Sequence, residues 1–150
     1  MKEIKKKETN DILKELNKYK RGIREYIFKI FKRSLDVNSD LEYLFKYFNF
    51  DTIDQDDLNE VNLIKAKEWI INGLIGNDRG WINNVMDKDK ADYFWRMIYN
   101  LFDNSSLIFS NQIDSGGWNP FYNSDKFIFS NGIIIFDDNQ FGFFCIQESD

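Results

Sequence analysis

Apolar and polar positions follow two different rhythms along this chain. From Thr9 to Leu35, TNDILKELNKYKRGIREYIFKIFKRSL, the residues Ile12, Leu16, Tyr19, Ile23, Tyr26 and Ile30 recur at steps of four and three. That spacing predicts one amphipathic helix, capped by Thr9 or Asn10, with lysines and arginines on its other face. Gly22 falls inside it at a cost of about 1 kcal/mol relative to alanine. A second helix is predicted over NSDLEYLFKYFNF, where Ser39 and Glu42 form a capping box and Leu41, Leu44, Phe45 and Phe48 share a face. A third is predicted within residues 51–80, its acidic front suited to a helix N-terminus and Gly73 or Gly76 ending it. A fourth runs over DKDKADYFWRMIYNLFDN, capped by Asp87 or Asp89 and closed by Asn104. GWINNVM, between the last two, suits a further short turn of helix.

After Asn104 the period shortens. SLIFSN, KFIFSN, GIIIFDD and FGFFCIQ are brief, rich in Ile and Phe, and separated by turn residues. Ser130-Asn131-Gly132 and Asp137 to Gln140 read as turns. The pattern predicts an α+β domain, with four or so N-terminal helices on a C-terminal antiparallel meander of three to four strands. One domain is expected over 1–150, helical over about 9–104 and β over about 106–148.

Composition adds limits. With 43% hydrophobic and 17% aromatic residues, 150 residues suffice for a core without covalent staples. One cysteine, Cys145, excludes an internal disulfide framework and a cysteine zinc site; its alternating strand predicts a buried, inert thiol. The N-terminal lysines precede no apolar signal region, and no run approaches the roughly 20 apolar residues of a spanning helix. A soluble cytoplasmic domain is expected, with no membrane partner. The net charge of −5 is uneven: Met1 to Arg33 carry 12 basic and 5 acidic residues, the remainder 8 and 20.

The chain has no histidine, which removes Ser-His-Asp and Cys-His hydrolases and most zinc enzymes. Carboxylate chemistry survives that cut. Asp51, Asp54, Asp56, Asp57 and Glu60 invite a metal reading, but the sixth position from Asp54 is Asn59, where a calcium loop needs glycine. Asp137, Asn139, Gly142 and Glu148 fit the first, third, sixth and twelfth places of that loop, while Phe141 and Cys145 replace two oxygen ligands. A β-turn with Gly142 at a bulge or close contact accounts for them better. The nuclease-like acid-x-lysine run Glu3-Ile4-Lys5 falls at the terminus, outside any predicted strand. GLIGNDRG lacks the P-loop lysine. No catalytic, metal or cofactor residue is assigned on these grounds.

DSGGWNPFYNSD, Asp114 to Asp125, holds the only proline and the only Gly-Gly pair. Trp118 and Tyr122 lie there between Asp114 and Asp125, with Asp137 and Asp138 in the next turn. Trp and Tyr are common interface anchors, and carboxylates steer a basic partner. The alternative for Trp118 is a side chain folded back over the sheet edge. Aromatics among Asp and Asn repel phosphates, so nucleic acid is not expected as a partner. The outline resembles the bacterial immunity proteins of polymorphic and contact-dependent toxin systems, which are small, cytoplasmic, often acidic and often α+β. The resemblance spans the chain in size, charge and layout, and no residue motif carries it. It implies a non-catalytic protein that occludes a cognate basic toxin domain, often a nuclease, through Asp114, Trp118, Tyr122, Asp125, Asp137 and Asp138. Two other classes remain open: a carboxylate- or metal-dependent enzyme, and a regulatory or scaffold domain acting through the basic N-terminal helix. An edge strand of the meander also allows a homodimer.

Overall fold

The computed structural model describes residues 2–50, 52–76, 84–103, 107–113, 116–121 and 129–149. It is an α+β domain with the elements β1 (Glu3–Ile4), α1 (Lys7–Leu16), β2 (Ile23–Lys32), α2 (Val37–Phe48), β3 (Asn59–Val61), α3 (Leu63–Ile75), α4 (Lys88–Tyr99), β4 (Leu107–Ser110), β5 (Phe129–Phe136) and β6 (Gln140–Ser149). Among the described residues the strands form one antiparallel sheet of six, in the order β1-β2-β6-β5-β4-β3.

This corrects the predicted architecture of N-terminal helices on a meander of three to four strands. Strands interleave with helices, and three of the six come from the first half of the chain. The largest revision is at Thr9 to Leu35. Only Lys7–Leu16 is helical; Gly22 then takes φ +52°, and Ile23–Lys32 is a strand. The helical seam misled because a step of four is also an even step. Tyr26 and Ile30 share a face in either geometry, and both are buried. Ile23, three before Tyr26, is the residue that distinguishes the two, and it is 51% exposed. Alternating Tyr26, Phe28 and Ile30, with β-branched and aromatic residues throughout, suits a strand. β2 pairs with β6 along its whole length, from Ile23 opposite Ser149 to Lys32 opposite Gln140. β1 pairs with β2, so Glu3-Ile4 lies in an edge strand, against expectation. Glu3 there accepts a hydrogen bond from the Tyr47 hydroxyl and pairs with Lys29.

The starts of α1, α2 and α4 were legible to within a few residues, and that of α3 was not. α2 is capped by Asp36, whose carboxylate accepts from the Ser39 amide and hydroxyl, rather than by Ser39. The acidic front of the third predicted helix is instead a 3-10 turn, Gln55–Asp57, followed by β3; α3 starts later, capped by Asn62. Gly76 ends α3 at φ +90° and Asp87 caps α4, both as expected. α4 ends at Tyr99 with Asn100 as its C-cap; Asn104 and residues 80–83 of GWINNVM lie outside the described residues.

KFIFSN and GIIIFDD are not separate strands. β5 runs straight through Ser130, Asn131 and Gly132. Partners elsewhere in the fold hold part of this polar run, while Asn131 Oδ1 is buried without a hydrogen-bond partner among the described residues. Asn131 donates to Trp69 O and Ser130 Oγ sits 3.6 Å from Cys145 Sγ. A side chain at Gly132 would meet the Phe121 ring, and one at Gly142 would meet Phe102. Gly142 is therefore a close-contact glycine, as anticipated.

The sheet is covered on both faces, which explains why β5 is buried throughout and β6 as far as Glu148. On one face α1, α3 and α4 pack Ile12, Leu16, Ile70, Leu74, Phe94 and Ile98 against Phe28, Ile30, Ile133 and Phe144. On the other, Leu41 and Leu44 of α2, with Ile53 and Phe121, cover Phe31, Ile134, Phe136, Phe141 and Phe143. At the rim of the first core the fully buried Arg24 donates to Tyr26 Oη (2.7 Å) and to the α3 carbonyls of Gly73 (2.6 Å) and Leu74 (3.1 Å). Its Nη1 lies 3.2 Å from Glu148, which Arg21 also holds at 3.1 Å. Arginine at a helix C-terminus satisfies carbonyls that the helix leaves unpaired. No described helix is long and apolar enough to cross a membrane.

Candidate functional site

Two segments far apart in sequence meet at one end of the sheet, beside β3 and β4. The Thr52 hydroxyl donates to Pro120 O (2.7 Å), the Asn119 side-chain amide to Asp57 O (3.0 Å) and that of Asn59 to Gln112 O (2.9 Å). The acidic stretch Asp54 to Glu60 therefore lines the loop that carries Trp118.

Local chemistry makes both segments firm. In the 3-10 turn, Asp54 accepts from the Asp56 amide while Asp57 accepts from the Asp54 amide, a reciprocal cap. In the loop, Ile113 N donates to Gly117 O, Gly116 N to Ile113 O and Asn119 N to Asn111 O. Gly116 and Gly117 take φ +104° and +86°, which suits residues without a Cβ. Asn111 is the pin: wholly buried, it donates to Asn119 O and Ser130 O and accepts from Gly132 N. Phe121 closes the loop by inserting among Phe50 and Phe143.

Trp118 is half-buried, edge-on to Phe129 at a centroid distance of 5.0 Å. It leans on the sheet margin and keeps part of its ring at the surface. Asp54, Asp56 and Glu60 are exposed and Asp57 is half-buried. Among the described residues no cation pairs with any of these four carboxylates. They lie on an extended edge rather than around a common point, and among the described residues no acidic or thiol cluster has metal-site geometry.

Of the six residues proposed from sequence, the three that are described do not share one surface. Asp114, Tyr122 and Asp125 lie outside the described residues. Trp118 sits near the start of β5, whereas Asp137 and Asp138 follow its end, roughly 25 Å away along an eight-residue strand. Asp137 is not available to a partner. It is 2% exposed, and its carboxylate accepts from the amides of Asp103, Asn139 and Gln140. The turn needs an acceptor for those amides, so Asp137 fixes the β5–β6 hairpin. Asp138 is exposed. The calcium-like pattern is pulled apart as well, since Glu148 is held by Arg21 and Arg24 near the opposite end of β6.

Sequence reasoning passed over Asp54, Asp56 and Glu60 because their crowding is also what a helix N-terminus favours. The sign that they do not start α3 was Asn62, a cap placed after them, which leaves the acids outside the helix. Cys145 is fully buried and burial pushes its thiol up to about 12, so it is no nucleophile at neutral pH. Comparison of the chain with protein-family models and with curated proteins gives no match.

Proposed function

We propose that this chain is a non-catalytic protein-binding domain that acts in the cytoplasm as an immunity protein, neutralising a basic toxin domain by covering its active surface. The observation that carries the reading is the firm acidic rim. Among the described residues Asp54, Asp56 and Glu60 have no cation partner; they stand on a capped turn and an edge strand, beside the half-buried Trp118. Exposed carboxylates attract a cationic surface and speed its approach. Trp118 offers an aromatic contact that loses little conformational freedom on binding, because Phe129 and the Asn111-pinned loop already hold it. Asp138, at the other end of β5, belongs to a separate patch.

The test is co-expression with the product of the adjacent gene. A stoichiometric complex that loosens with salt, and a toxin silenced by it, is the expected result. The double variant Asp56→Lys with Glu60→Lys should weaken the complex about tenfold or more, mainly through slower association. Free toxin activity in the presence of folded protein would refute the proposal.

A further inference from the structure

Among the described residues β3 is the outermost strand of the sheet and pairs only with β4. Among the described residues nothing hydrogen-bonds along its outer side, and Asn59 and Glu60 are exposed. An open strand edge presents backbone donors and acceptors to any extended segment. Three observations say what fits it. The neighbouring carboxylates Asp54, Asp56 and Glu60 favour a cationic segment. The same charges repel the β3 edge of a second copy, which disfavours symmetric pairing of this edge. Leu63 and Ile64 follow immediately, 42% and 80% exposed. The opposite edge, β1, is only two residues long and flanked by Lys2, Lys5 and Lys6, so it repels such a segment.

We propose that the partner adds an extended segment with alternating basic residues to β3, its backbone pairing with Asn59–Val61 and an apolar residue resting on Leu63 and Ile64. This rests on the protein-binding reading and specifies how the partner is held. Backbone pairing supplies affinity, the acids select charge, and Leu63 and Ile64 set the register.

The experiment titrates the isotope-labelled full chain with a six-residue peptide of alternating Lys and Val, followed residue by residue by NMR. A version N-methylated at every residue keeps the charge and removes the donors; a Glu/Val version reverses the charge. The expected result is a set of shifts over Asn59–Val61 and Leu63–Ile64, binding about tenfold weaker for the N-methylated peptide, and none for the Glu/Val peptide. Equal binding of the N-methylated peptide would overturn strand addition while leaving the acidic-surface reading standing. Shifts centred on Glu3–Ile4, or no binding of either Lys peptide, would also overturn it, and the reading beneath it is then judged by co-expression. Self-association that closes Asn59–Val61 in the absence of peptide would assign the edge to a second copy and overturn the proposal.

Discussion

Three buried polar residues show most directly how side-chain chemistry holds this molecule. Cys145 lies in β6 and points into the core on the α2 face with Ser130 beside it, and burial raises its thiol far above neutral pH. It should resist a thiol reagent at pH 8 in the native state and react fully once urea unfolds the chain; rapid native labelling would contradict the burial. Arg24 ties Tyr26, the end of α3 and Glu148 together. Arg24→Met should cost about 3 kcal/mol in urea unfolding, because it leaves α3 carbonyls unpaired and removes one of the two arginines on Glu148. Asn111 makes three hydrogen bonds from a wholly buried position. Asn111→Ala should cost about 2–3 kcal/mol and open the Ile113–Phe121 loop to proteolysis, read by mass spectrometry of the first cleavage products.

At the scale of elements, α2 depends on a cap the sequence half disclosed. The Ser39 amide and then its hydroxyl, both donating to Asp36, hold that carboxyl below the usual carboxylate range. A carboxyl whose folded value is depressed stabilises the fold above its unfolded value, and loses that contribution as pH falls through the folded value. Asp36→Ala should therefore lower Tm at pH 7, and the gap to the parent should narrow on acidification below the ordinary carboxylate range. A gap independent of pH would remove the charge from the explanation. Asp87, Gly76 and the β6 run were legible because caps, stops and alternation are local signals. β2 was not, because Tyr26 and Ile30 satisfy both periods and only the exposure of Ile23 separates them. The unbroken β5 was hidden for a different reason: Ser130, Asn131 and Gly132 are turn residues whose partners, Cys145, Trp69 and Phe121, come from elsewhere in the chain. The acidic rim was visible as composition, but its meeting with Trp118 depends on long-range bonds from Thr52, Asn59 and Asn119.

The whole molecule is organised around one sheet shared by two cores. β5 and β6 send Ile133, Ile135 and Phe144 to the face under α1, α3 and α4, and Ile134, Phe141 and Phe143 to the face under α2. Neither core can lose its covering elements without exposing strands that the other also needs, so the two should melt together. Ile70→Ala acts on the first core and Phe121→Ala on the second, with expected losses of about 2–5 and about 3–5 kcal/mol. If the sheet couples the cores, each substitution shifts the urea midpoint seen by far-UV circular dichroism and by tryptophan fluorescence by the same amount, with an unchanged slope. Fluorescence is informative because Trp95 lies in the first core and Trp118 leans on Phe129 at the sheet margin. A Phe121→Ala protein whose tryptophan signal changes before its circular dichroism would mean that the α2 face loosens alone. The acidic rim and the Trp118 loop, anchored through Phe121, would then be mobile in the free protein, and partner binding would have to pay for ordering them.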